Sequence, residues 1–124
     1  MARILLVEDN DDNWDMLSRR LERRGYQVER AMDGQMALDK ASAETFDLIL
    51  MDVNLPGMDG LEATRRIRAL DRRPRPPIIA LSAHALATDQ EKAAEAGVDG
   101  YHTKPVELPL LLEQMEGLLN APSS

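Results

Sequence analysis

Short apolar runs without polar alternation, spaced between stretches of helical periodicity, constrain this chain more than any other feature. Ile4-Leu5-Leu6-Val7, Leu48-Ile49-Leu50-Met51 and Ile78-Ile79-Ala80-Leu81 are too short for buried helices and have no polar face. They suit strands covered on both sides, as in a parallel sheet. A weaker run lies at Tyr26–Val28 and a short one around Tyr101. Between the runs, Trp14, Leu17 and Leu21 fall at i, i+3 and i+7, and Gly25 follows as a helix stop. Met36, Ala37 and Ala41 form a second stripe, and Ala63, Ile67 and Leu70 a third, ended by Pro74, Pro76 and Pro77. Thr88 and Glu91 have capping-box spacing and predict the start of a helix that Gly97 closes. The last stripe is the strongest: Leu108, Leu111, Leu112, Met115, Leu118 and Leu119, with Pro109 tolerable only in its first turn.

The pattern is five βα units with no repeat or linker. Right-handed crossovers then lay helices on both faces of a parallel sheet, an α/β fold. Five strands so spaced favour the flavodoxin-like doubly wound order 2-1-3-4-5, whose ligands bind beyond the carboxyl ends of the strands at the switch between strands one and three. The 124 residues fit one domain, expected over residues 1–120, with a flexible tail over 121–124.

Composition removes several functions. No cysteine is present, which excludes a thiol nucleophile and a Cys-ligated zinc, and is compatible with a cytoplasmic location. No apolar run approaches the ~18 residues of a membrane span. A net charge of −7 argues against nucleic acid as the main partner, since duplex binding requires phosphate neutralisation. Arginines do cluster, at Arg19, Arg20, Arg23 and Arg24 and again from Arg65 to Arg75. A solvated helix face is the ordinary reading of such a run, and a docking surface for an acidic partner is the sharper one.

Polar residues at the strand ends carry the chemistry. Strand one leads into Glu8-Asp9, strand three ends in Asp52, strand four in Ser82, and strand five leads into Lys104-Pro105. A lone acid there is commonly a helix N-cap. Five such groups on four strand ends are not explained that way. Carboxylates gathered at the switch point repel by ~4 kcal/mol per pair at about 4 Å and an effective dielectric near 20. A hard divalent cation offsets this, and Mg2+ typically takes one or two carboxylates plus water and phosphate oxygens.

The stretches Leu6-Val7-Glu8-Asp9-Asn10, Met51 to Gly60 (MDVNLPGMDG), Ala80-Leu81-Ser82-Ala83-His84-Ala85 and Lys104-Pro105 resemble, in order and spacing, the receiver domain of two-component response regulators. The resemblance extends over essentially the whole chain and is nearest to receivers of hybrid histidine kinases and chemotaxis-type regulators. It implies that Asp52 is the phosphoryl acceptor. It implies Mg2+ held by the Asp9 and Asp52 carboxylates, by the Asn54 backbone carbonyl and, through water, by Glu8. Ser82 would hydrogen-bond one phosphoryl oxygen and Lys104 pair with another, Pro105 would follow a cis peptide bond, and Tyr101 would be the aromatic that changes rotamer on activation. Glu at position 8 and Ser at position 82 are mild departures from the family pattern that keep the functional groups.

The resemblance also implies partners: a sensor histidine kinase or histidine phosphotransfer protein upstream, and a protein target docking on helix four, strand five and helix five. Such a chain is a signalling switch, not an enzyme in the ordinary sense, and catalyses only its own phosphorylation and dephosphorylation. It would work alone or as part of a longer chain. His84, two residues beyond Ser82, is either a rate-tuning group, together with Asn54, or a surface histidine. Trp14 is either core or docking face, His102 structural or exposed, and Met51 and Met58 core filler. Two other classes fit less well. A haloacid-dehalogenase-type phosphatase needs a second acid where Asn54 stands, and a flavodoxin-like cofactor module needs a phosphate loop where Glu8-Asp9 would repel the ligand.

Overall fold

Leucine and isoleucine without a polar face have one low-energy placement, between two layers, and the three apolar runs occupy it. A computed structural model describes residues 2–120 and forms β1 (Arg3–Val7), α1 (Asp11–Arg23), β2 (Gln27–Ala31), α2 (Gly34–Ala43), β3 (Leu48–Asp52), α3 (Gly60–Ala69), β4 (Ile78–Ser82), α4 (Ala87–Ala96), β5 (Gly100–Thr103) and α5 (Leu108–Leu119). All strand pairs are parallel, in the order β2-β1-β3-β4-β5. Every residue of β3 and β4 is buried. Period-two alternation then splits the core. Leu5, Val7, Ile49 and Met51 pack with Ala37, Ala41, Ala63 and Ile67 of α2 and α3. Ile4, Leu6, Leu48 and Leu50 pack with Leu17, Leu21, Leu111, Leu112 and Met115 of α1 and α5. Truncating a residue such as Leu50, fully buried, would cost ~3 kcal/mol.

Register places the site. Val7 pairs with Met51, so Glu8 and Asp52 leave the sheet at the same level, and Ser82 pairs with Thr103, one residue before Lys104. Asn10 caps α1 by accepting from the Asn13 amide (2.9 Å), Asp33 caps α2 and Asp59 caps α3. Gly25 (φ 94°) and Gly97 (φ 113°) end α1 and α4 in a left-handed conformation that side-chain-bearing residues resist. Pro109 lies in the first turn of α5, and Lys104–Pro105 is cis, as is Arg73–Pro74.

Several local expectations are corrected. The second strand is Gln27–Ala31, reaching past the weak run at Tyr26–Val28, because β1 supplies its register. Thr88 does not cap α4: the N-cap is Leu86, without a side-chain bond, and the helix begins at Ala87. Met36 and Leu70 are exposed, because Met36 lies in the first turn of α2 and Leu70 already caps α3. The arginines from Arg65 to Arg75 are not all a solvated face, since the side chain of Arg68 is only 15 % exposed. The expected tail, 121–124, lies outside the described residues.

Candidate functional site

The carboxyl ends of β1, β3, β4 and β5 bring Glu8, Asp9, Asp52, Ser82 and Lys104 into one polar cluster. Glu8, Asp52 and Ser82 are buried, whereas Asp9 is exposed at the rim. The Glu8 and Asp52 carboxylates are held by local backbone. The Glu8 amide donates to the Ala31 carbonyl (3.0 Å), and Glu8 Oε2 accepts from the Asn10 amide (3.1 Å). Asp52 Oδ1 accepts from the Asn54 amide (3.0 Å). Lys104 Nζ lies 3.2 Å from Asp52 Oδ2 and 3.9 Å from Glu8 Oε1. A buried carboxylate without a counter-charge is strongly destabilising, so this ammonium is required where it stands.

One lysine does not neutralise three carboxylates. Oxygen atoms of Glu8, Asp9 and Asp52 lie within 4.8 Å of one another. Burial pushes the Glu8 carboxyl above its usual range, the Asn10 amide draws it back, and Asp52 pushes it up further against the pull of Lys104. Clustered hard oxygen donors with excess negative charge fit a small divalent cation, and the donor chemistry is that of Mg2+.

On the far side of Asp52, the Ser82 Oγ accepts from the His84 amide (3.1 Å), and the Ser82 carbonyl accepts from the Lys104 amide (2.7 Å). A cavity of about 50 Å3 opens beyond Ser82, lined by Val53, Leu61, His84, Lys92, Ala93 and Tyr101. The half-buried Tyr101 closes it, its hydroxyl donating to the His84 carbonyl (2.7 Å). His84 is exposed and shares this rim with Ser82 and Tyr101. His102 is buried and structural: Nδ1 meets Gln114 Oε1 at 2.8 Å and Nε2 accepts from the Glu107 amide at 3.1 Å.

Two residues escaped the sequence reading. Gly60 opens α3 against the nucleophile's own backbone: a Cβ there would stand 2.1 Å from the Asp52 carbonyl oxygen, so only glycine fits. The Asp59-Gly60 pair, a cap followed by the residue with no side chain, was the available signal. Arg30 of β2 reaches the loop that carries Glu8 and Asp9, a contact that no local pattern announces.

Residues 4–116 match the family of response regulator receiver domains. The chain belongs to that family. Its receiver fold is shared, at a TM-score of 0.89 and 40 % identity, with the receiver domain of a sensor histidine kinase from Pseudomonas aeruginosa, solved with magnesium in its active-site cleft; the match covers 97 % of this chain and 98 % of that one. The polar-differentiation response regulator DivK of Brucella anthropi is 35 % identical over 94 % of both chains. Hybrid signal transduction histidine kinase I of Dictyostelium discoideum is 42 % identical over 90 % of this chain, which spans only 7 % of that kinase. The flavodoxin-like order read from the sequence is therefore that of a CheY-like receiver, a phosphoacceptor module of two-component phosphorelays. Among the described residues no helix is long and apolar enough to cross a membrane.

Proposed function

We propose that Asp52 is the phosphoryl acceptor of this receiver and that Asp9, Asp52 and the Asn54 carbonyl hold Mg2+, with Glu8 acting through water. The reading is carried by one observation: Asp52 is a buried carboxylate whose two oxygens are separately oriented, by the Asn54 amide and by Lys104, beside two further acids. Such orientation matters because phosphoryl transfer needs positioning and charge neutralisation above all. An Asp52 oxygen bonds to phosphorus as the donor's bond to phosphorus breaks, giving a mixed anhydride that water later cleaves. The metal supplies positive charge to the phosphoryl oxygens. Lys104 supplies a second, fixed charge, and Ser82 a neutral hydroxyl donor.

The phosphoryl donor is a sensor histidine kinase or a histidine phosphotransfer protein, and the output is a protein target bound across α4, β5 and α5. A phosphoryl oxygen drawing in the Ser82 hydroxyl vacates space beside the existing cavity, into which the Tyr101 ring turns once its bond to His84 breaks. Asn54 and His84 stand where water approaches and set the lifetime of the phosphoryl group. The chain is a switch that catalyses only its own phosphorylation and dephosphorylation. Incubation with acetyl phosphate and Mg2+ tests this: the wild type should gain one phosphoryl mass, and Asp52→Asn, which keeps the shape, none. Labelling of Asp52→Asn at the normal rate would end the assignment.

A further inference from the structure

Arg30 extends from the edge strand β2 to the β1–α1 loop and spends its donors there. Its Nε donates to the Glu8 carbonyl (3.1 Å) and its Nη2 to the Asp9 carbonyl (3.2 Å). Nη2 also pairs with Asp11 at 2.9 Å, and the guanidinium carbon lies 5.4 Å from the centre of the Trp14 ring. All four partners belong to residues 8–14, the segment that carries Glu8 and Asp9 into the first turn of α1. The side chain is only 19 % exposed, so this is a held arrangement, not a passing surface pair.

A cation at a helix N-terminus opposes the helix dipole, so helix stabilisation does not explain this placement. What the guanidinium does accomplish is geometric. Two backbone carbonyls in series, those of Glu8 and Asp9, are tied to the sheet edge by one planar fork. Asp9 needs such a tie more than Asp52 does. Its side chain is exposed and among the described residues has no hydrogen bond or ion pair of its own, whereas Asp52 is buried and twice anchored.

We propose that Arg30 is a positioning residue for the metal ligands, fixing the Glu8-Asp9 backbone so that the rim carboxylate of Asp9 stays beside those of Glu8 and Asp52. The inference rests on the Mg2+ reading given above. Arg30 touches neither the metal nor the phosphoryl group and acts through the residues that would. Its own charge is offset by Asp11, so its loss disturbs geometry more than field, and Mg2+ affinity falls. Lysine is no substitute, because one ammonium cannot reproduce a planar fork that also stacks on an indole.

Calorimetric titration of Mg2+ into the unphosphorylated protein tests the proposal without any activity assay. Arg30→Met and Arg30→Lys should each weaken binding by about tenfold, the scale on which outer partners of metal ligands act. In the metal-free protein, both should speed hydrogen exchange at the Asn10 amide, which is bonded to Glu8, with unchanged far-ultraviolet circular dichroism. Asp9→Ala is the reference. Affinity unchanged in Arg30→Lys, or tightened in Arg30→Met, overturns the proposal while Asp9→Ala still binds weakly. If Asp9→Ala binds Mg2+ as the wild type does, the metal assignment itself is wrong, and this inference falls with it. Should Arg30→Met fail to fold, Arg30→Lys decides alone.

Discussion

Both ends of the sheet carry a charged cluster, and the two are built on opposite terms. At the amino ends of β4 and β5, Arg68 and Arg75 each pair with one oxygen of Asp99, at 2.7 and 2.8 Å. Asp99 also accepts from the Ile78 amide, and Arg68 donates to the carbonyls of Gly97 and Pro76. Two arginines share this one carboxylate, and carbonyls take up further donors, while burial and the neighbouring Arg75 draw the pKa of the Arg68 guanidinium down to about 10. Gly97 admits the arginine stem, since a Cβ would stand 2.7 Å from Arg68 Cγ. At the carboxyl ends, Lys104 pairs with only two of three clustered carboxylates, and those two are buried. The first cluster is closed and ties α3, β4 and β5 together. The second is short of positive charge, which is the condition under which a metal ion and a phosphoryl transfer have something to do. Density of ion pairs alone does not mark a functional site; clustered carboxylates that outnumber their cations and stand where a cation can reach them do.

The contrast predicts opposite responses to removing a charge. Arg68→Ala should destabilise the protein by about 2 kcal/mol in urea unfolding, because Asp99 is left with Arg75 and the Ile78 amide alone and the Pro76 carbonyl loses its charged donor. If that loss is within error of zero, the amino-end cluster is not a structural tie. Glu8→Gln should do the reverse in metal-free protein at neutral pH. The Glu8 carboxyl is held above its ordinary range by burial and by Asp52. Its proton therefore favours the fold: that contribution is complete below the unfolded value of about 4.5 and is lost as pH rises through the raised folded value. The melting temperature of the metal-free wild type should accordingly fall with rising pH over that window relative to Glu8→Gln. Parallel curves for the two proteins would show that Glu8 is not frustrated.

Asp9→Ala is a smaller perturbation, because Asp9 is exposed. It should leave the metal-free melting temperature unchanged or slightly raised while abolishing most of the stabilisation that Mg2+ gives the wild type. A drop in metal-free stability would place Asp9 among the structural residues. Smallest of all, Tyr101→Phe removes one exposed hydrogen bond, worth about 1 kcal/mol or less. It should barely change stability, yet shift the NMR signals of residues 84 to 101 towards those of the beryllofluoride-bound wild type. Ser82→Ala should show the converse, accepting the phosphoryl mimic with a blunted response across the same residues. A full wild-type pattern in Ser82→Ala would break the proposed route from Asp52 to Tyr101.

The fold was legible because its central strands are apolar on both faces, and the gathering of the candidate site because strand ends carry Glu8, Asp9, Asp52, Ser82 and Lys104. What escaped depends on partners distant in sequence. The register of β2 comes from β1, and the value of Gly60 appears only when α3 meets the Asp52 backbone. Arg68 reads as part of a polar run, since nothing nearby in sequence reveals that Gly97, Pro76 and Asp99 close around it. Arg30 sits in the strand with the weakest pattern and acts on a loop some twenty residues earlier. Thr88 shows the opposite failure, a local signal for a cap that the chain leaves unused in favour of Leu86.

If the charge-deficient end of the sheet is where phosphate is accepted, the phosphoryl group can be located there residue by residue. Acetyl phosphate and Mg2+ followed by borohydride reduction converts an aspartyl phosphate to homoserine, which peptide mass spectrometry reads at single-residue resolution. Homoserine is expected at position 52 and nowhere else, with none formed when Mg2+ is chelated. Homoserine at Asp9, at Asp99 or at scattered surface aspartates, or equal conversion without the metal, would contradict it.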